Sequence, residues 1–117
     1  MKFLIEEVDF DTRSFQTGKE DYEVKNELET EYKGSIIEHD WLEEAEDIRD
    51  VYATLFKWFE NTDWLIHKAV LRPIDVQAEF KDFFNKTHSD TESWDYEIPP
   101  LYPKGIRRSQ TIEILPA

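Results

Sequence analysis

The side chains in this sequence that can bind a metal ion or move a proton are three histidines, His39, His67 and His88, and 27 carboxylates. Imidazole and carboxylate are ordinary ligands for zinc and iron, but only where they converge. No two of the histidines stand four residues apart, and His39 beside Asp40 fits the start of a helix better than a ligand set. Oxygen ligands recur through His88, Asp90, Glu92, Asp95 and Glu97, yet this run lacks the central glycine and the spacing of a calcium loop. The serines at 14, 35, 89, 93 and 109 have no Gly-x-Ser-x-Gly setting, and Gly18, Gly34 and Gly105 form no phosphate-cradling pattern. No catalytic residue, cofactor site or metal site is assigned, because no acid pair stands out among so many carboxylates.

What does stand out is charge. Against 27 acidic side chains there are 14 basic ones, a net charge of −13. Such a chain repels nucleic acid and anionic lipid and attracts basic protein surfaces. The excess is concentrated in residues 1–50, with 17 acids and 6 bases, while the last 17 residues carry 1 and 3. From Tyr22 to Tyr32 the residues alternate strictly. Glu23, Lys25, Glu27, Glu29 and Glu31 fall on one side, and Tyr22, Val24, Asn26, Leu28, Thr30 and Tyr32 on the other. Read as a strand, this sets Glu27, Glu29 and Glu31 about 6.6 Å apart, close to two steps of roughly 3.4 Å along a nucleic-acid strand. A second stripe, Glu43, Glu46 or Asp47, and Asp50, follows at helical spacing. Two such rows could imitate duplex phosphates. Both also have structural explanations, because acids suit the first turn of a helix and charged faces keep edge strands apart.

The elements that must position these rows begin with Phe3–Phe10, whose alternation reads as a strand with Leu4, Val8 and Phe10 on one side and Phe3, Ile5 and Asp9 on the other. Asp11 to Asp21 reads as a wide polar loop that Phe15 could anchor. The Tyr22–Tyr32 strand and a short strand near Ser35–Glu38, reached through Gly34, complete a meander. Asp40 and Glu43 resemble a capping pair, and Trp41, Ala45, Ile48, Tyr52, Leu55 and Phe59 continue at spacings of four and three, a helix over 41–60. Asp63–Leu71 reads as a strand, and Pro73 or Asp75 as the start of a second helix carrying Val76, Phe80, Phe83 and Phe84 to the core. Residues 88–108, with Pro99, Pro100 and Pro103 among Trp94, Tyr96, Leu101 and Tyr102, read as an extended arm. A last short strand lies within 109–117. Lys104, Arg107 and Arg108 form a small basic tail that could contact nucleic acid, although pairing with the domain's own acids or orienting the arm is its ordinary role. Trp58, Trp64 and Trp94 could be binding anchors, with the core as the ordinary place for Trp58.

At 117 residues without cysteine, the chain has the size of a single domain without a disulfide framework, which fits a reducing cytoplasm. Glu6, Glu7 and Asp9 interrupt the N-terminal apolar residues, so these do not form a signal peptide. The expected fold is one α+β domain: an antiparallel sheet of four or five strands, two helices on one face and a C-terminal arm. The expected function is non-enzymatic. An acidic inhibitor or adaptor would use Glu23, Glu27, Glu29, Glu31, Glu43, Glu46, Asp47 and Asp50 to occupy a basic, nucleic-acid-binding surface of a partner protein. Phage anti-defence proteins and toxin immunity proteins share this size and charge as an analogy of composition. The alternatives are an assembly component docking through the aromatic arm and, behind it, a small metal-dependent enzyme.

Overall fold

Strand β1 (Lys2–Phe10) opens the chain, followed by α1 (Asp21–Tyr32), β2 (Ile36–Glu38), α2 (Asp40–Glu43), α3 (Ile48–Thr62), β3 (Ile66–Pro73), a single 3-10 turn (Ala78–Phe80), β4 (His88–Tyr96) and β5 (Ile106–Ile114). The structure is a computed structural model that describes residues 1–10, 21–62, 66–96 and 106–117, with backbone alone for 21–25, 61, 94–96 and 106–108. Five strands form one mixed sheet in the order β2-β1-β3-β5-β4. Every pairing is antiparallel except that of β3 with β5. The fold is therefore α+β with a mostly antiparallel sheet. No helix among the described residues is long and apolar enough to cross a membrane.

Simple alternation along β1 sets Phe3 and Ile5 on the face opposite Val8 and Phe10. All four are buried in one core, because β1 carries a bulge. Ile5 pairs with Leu71 and Glu7 with Val70, so two steps of β1 face one step of β3. One extra residue reverses the phase of the strand, and that reversal brings Val8 and Phe10 inward. Ile37, Ile66, Ala69, Leu71, Ile112 and Ile114 complete the sheet side of the core. The opposite face of the sheet is charged, with Arg72 Nε 2.5 Å from Glu6 Oε1 and Lys68 and Lys2 each 3.9 Å from Glu113 and Glu38.

The layer over the core face comes mainly from α3, whose Val51, Tyr52, Leu55, Phe56 and Phe59 are buried at helical spacing. Each such side chain contributes roughly 1.5–3 kcal/mol on burial. Leu42 and Ala45 join them from α2 and the turn behind it. The continuous helix expected over 41–60 is thus two helices. Residues 44–47 leave the helix, and Asp47 restarts it with Oδ1 accepting from Arg49 N–H at 2.8 Å and Asp50 N–H at 3.1 Å. The cap of α2 is also one residue earlier than Asp40: His39 is extended there, and its Nδ1 accepts from the Trp41 N–H at 3.0 Å.

Two further expectations are corrected. Tyr22–Tyr32 is a helix, α1, rather than a strand, so the N-terminal unit is strand–helix–strand and not a meander. An alternation of period two contains a period of four, and Glu, Lys and Leu favour the helix. Leu28 and Tyr32 pack on the core, with the Tyr32 ring 5.8 Å from that of Phe10. Gly34, at φ +87, then reverses the chain so that Gly34 N–H donates to Ile5 O and β2 joins the edge of β1. After Pro73 no second α-helix forms. Bonds spanning three residues, Phe80 N to Gln77 O and Phe83 N to Phe80 O, tighten the backbone and drop Phe84 into the core, edge-on to Phe3 at 5.9 Å. Within the segment 88–108 the chain is extended, but His88–Tyr96 and the residues from Ile106 onward are paired strands of the sheet. The loop expected at 11–21 lies outside the described residues as far as residue 20, as do Asp63 to Leu65, including Trp64, and 97–105 with its three prolines and Lys104.

Candidate functional site

The strand row expected of Glu27, Glu29 and Glu31 does not form, because its segment is the helix α1. On α1, positions 23, 27 and 31 are four residues apart, so Glu23, Glu27 and Glu31 share a helix face at about 6 Å of rise per step. Glu27 and Glu31 are exposed, while the adjacent Leu28 and Tyr32 turn toward the core. Glu29 leaves this row. It is half-buried and, with Glu7, Val8, Asp9 and Lys33, lines a recess of about 300 Å³ between α1 and β1. Glu7 and Asp9 therefore belong to the same acidic region. Sequence reasoning left them out, although with Glu6 they are the acids of β1 outside the core pattern.

The second row is not a helical stripe. Glu43 ends α2 and is held by the Met1 amino group and, at 3.3 Å, by Gln77 Nε2. Glu46 and Asp47 lie in the turn between helices. Asp47 caps α3, and Asp50 reaches back so that its Oδ2 accepts from the Glu46 N–H at 3.1 Å. These two carboxylates satisfy donors that a helix start leaves open. Of this group, Glu46 contributes charge without a side-chain bond among those described.

The histidines are dispersed and engaged by the backbone. His67 Nδ1 lies 3.2 Å from Ser109 O, where it donates, and His88 Nε2 meets Phe83 O. No group of three or more His, Asp or Glu side chains among the described residues is arranged to hold a metal ion. Glu6, hydrogen-bonded by Arg72, has its carboxyl held below the usual carboxylate value.

Two features were not visible in the sequence. The first is a recess of about 210 Å³ beside α2 and α3, where Trp41, 49% exposed, meets the His39 ring at 4.9 Å and Lys57 Nζ at 4.5 Å, with Trp58 alongside. Trp58 is half-buried and packs edge-on against Phe59, so it serves the core as well. The second is a groove between α3 and the edge strand β4, bounded by Tyr52, Phe56, Glu60, Asp90, Glu92 and Gln110. Tyr52 is buried there, and its hydroxyl has no hydrogen-bond partner among the described residues. Burial, reinforced by the charges of Asp90 and Glu113, raises its pKa far above the ordinary phenol value. Gln110, the buried polar residue of β5, turns its amide toward Ile66 O at 3.4 Å. Of Trp94, Arg107 and Arg108 the structure describes the strand backbone only.

Comparison with protein families, with curated proteins and with solved structures found no match to this chain.

Proposed function

We propose that the chain is a non-enzymatic acidic binding protein of the cytoplasm, an inhibitor or adaptor that covers a basic, nucleic-acid-binding surface of a partner protein. The observation that carries this reading is the row Glu23, Glu27 and Glu31 along α1. A rise of about 6 Å between successive positions of the row is close to the roughly 6.8 Å of two nucleotide steps, so a groove lined with Lys and Arg can meet the row as it meets phosphates. Glu7, Asp9 and Glu29 deepen the negative field beside the row, and the net charge of −13 extends it beyond contact distance. Long-range attraction of this kind accelerates encounter and makes association salt-sensitive. Nucleases and other DNA-binding proteins are the partner class with such grooves, which is the setting of phage anti-defence and toxin-immunity proteins.

Asp47, Asp50 and Glu43 are assigned structural roles within this reading, because their carboxylates hold the start of α3 and the N-terminal amino group. The assembly reading is weaker, since β4 and β5 engage much of residues 88–108 within the chain's own sheet. The test is capture of partners from a bacterial lysate at low salt, with elution by duplex DNA. Retention of a basic DNA-binding protein that duplex DNA releases supports the reading. Retention unaffected by duplex DNA contradicts it.

A further inference from the structure

The sheet ends at β4, and no described strand pairs with its outer edge. Along nine residues about half the backbone N–H and C=O groups point away from β5. Exposed edges of this length are commonly blunted by charged side chains, most often lysine, by proline or by a bulge. The segment His88–Tyr96 contains no lysine or proline, and its register with β5 is unbroken. It carries acids instead. Asp90 lies opposite Ile112 and Glu92 opposite Gln110, and residues directly opposite share a face. Both acids therefore stand on the core side, at the lip of the groove beside α3.

Glu60 of α3 borders the same recess as Glu92, with Phe56 and Gln110 between them. A wider recess of about 410 Å³ continues past Tyr52 and Asp90 to Arg49. Tyr52, 6% exposed, lines this groove with Asp90, and its buried hydroxyl has no hydrogen-bond partner among the described residues. A buried polar group without a partner is unfavourable, and a ligand that supplies one relieves it. Asp90 Oδ1 accepts from the Thr91 N–H at 2.9 Å, a local bond that an incoming carbonyl can replace.

We propose that the β4 edge and the groove beside it form a docking site for an extended, lysine- or arginine-bearing peptide segment that adds to the sheet as a further strand. Main-chain bonds to an open edge supply affinity, and alternate side chains of the added strand enter the groove. Charge complementarity selects the occupant: a cation belongs between Glu60 and Glu92, and Arg49 disfavours one at the far end. This site is distinct from the α1 row and does not depend on it.

The test uses the full chain and a peptide alternating Lys and Val, with binding followed by fluorescence anisotropy and amide hydrogen exchange. The expected result is saturable binding, slowed exchange in His88–Tyr96, and loss of both when the peptide is N-methylated along one edge. Glu60→Lys with Glu92→Lys should weaken binding by about tenfold or more, and Glu27→Lys with Glu31→Lys by less than about twofold. Should the Lys pair fail to fold by circular dichroism, Glu60→Gln with Glu92→Gln carries the test, with an expected loss of about threefold or more. Absence of binding, no protection in β4, indifference to N-methylation, or equal weakening by the α1 pair overturns the proposal.

Discussion

Replacing Asp47 by alanine removes the acceptor for two backbone donors, Arg49 N–H at 2.8 Å and Asp50 N–H at 3.1 Å, at the start of a helix whose inner face builds the core. Loss of a helix cap costs about 1 kcal/mol, within a range of roughly 0.5–2. Loss of a carboxylate at the positive end of the helix adds about 0.3–1 kcal/mol. The expected total is about 1.3–2 kcal/mol, against roughly 6–18 kcal/mol for a domain of this length, so the variant still folds. Urea unfolding followed by circular dichroism should show a lower midpoint with an unchanged slope. Asp47→Asn retains an acceptor and loses only charge, so its change should be about 0.3–1 kcal/mol. Glu46→Ala, which removes no described side-chain bond, should stay within about 0.5 kcal/mol of the parent. An Asp47→Ala variant as stable as the parent, or an Asn variant as unstable as the Ala variant, refutes the assignment of this acid to capping.

Other expectations follow from single contacts. Tyr52→Phe deletes a buried hydroxyl without a partner among the described residues, so denaturant unfolding should show equal or greater stability; a loss above about 0.5 kcal/mol would mean that the hydroxyl is bonded. Gly34→Ala places a methyl where nothing lies within 4 Å, yet φ is +87, so thermal unfolding should reveal a backbone penalty of about 1–2 kcal/mol. Glu6 has a lowered pKa in the folded chain, because Arg72 hydrogen-bonds its carboxylate. Its stabilising contribution is present above the unfolded carboxylate pKa and is lost as pH falls through the lower folded value. Glu6→Gln should flatten stability against pH in that acid window, and an unchanged acid limb would speak against the pair.

The fold class was legible in the sequence because the strongest patterns were unambiguous. Tyr52, Leu55 and Phe59 follow one another at spacings of three and four, and a step of three changes face in a strand but not in a helix, while the β-rich run after Leu65 is too short for another long helix. The failures have specific physical origins. In Tyr22–Tyr32, period two and period four coincide, so hydrophobic pattern alone could not decide, and the Glu- and Lys-rich composition tipped the segment to helix. The β1 bulge hides in a sequence that looks like plain alternation, because its only trace is the pair Glu6–Glu7 between two apolar sets. The break in the helix over 41–60 has no Gly or Pro to announce it. It depends on Asp47 finding two donors, a local side-chain bond that competes with helical continuity. Acidic residues were easy to find and hard to sort. Only the structure separates Asp47 and Asp50, whose carboxylates accept from backbone at a helix start, from Glu46, which has no side-chain bond among those described. The β4 groove was invisible because Glu60, Asp90 and Glu92 come together only when β4 pairs with β5.

The most direct test of the central claim is a side-by-side lysate capture with the parent chain and with Glu23→Lys, Glu27→Lys and Glu31→Lys combined, after circular dichroism has shown that the variant is folded. The account requires the parent to retain a basic DNA-binding protein that duplex DNA displaces, and the reversed variant to lose it. Equal retention by both chains, or retention indifferent to duplex DNA, would contradict the role given to the acidic row of α1.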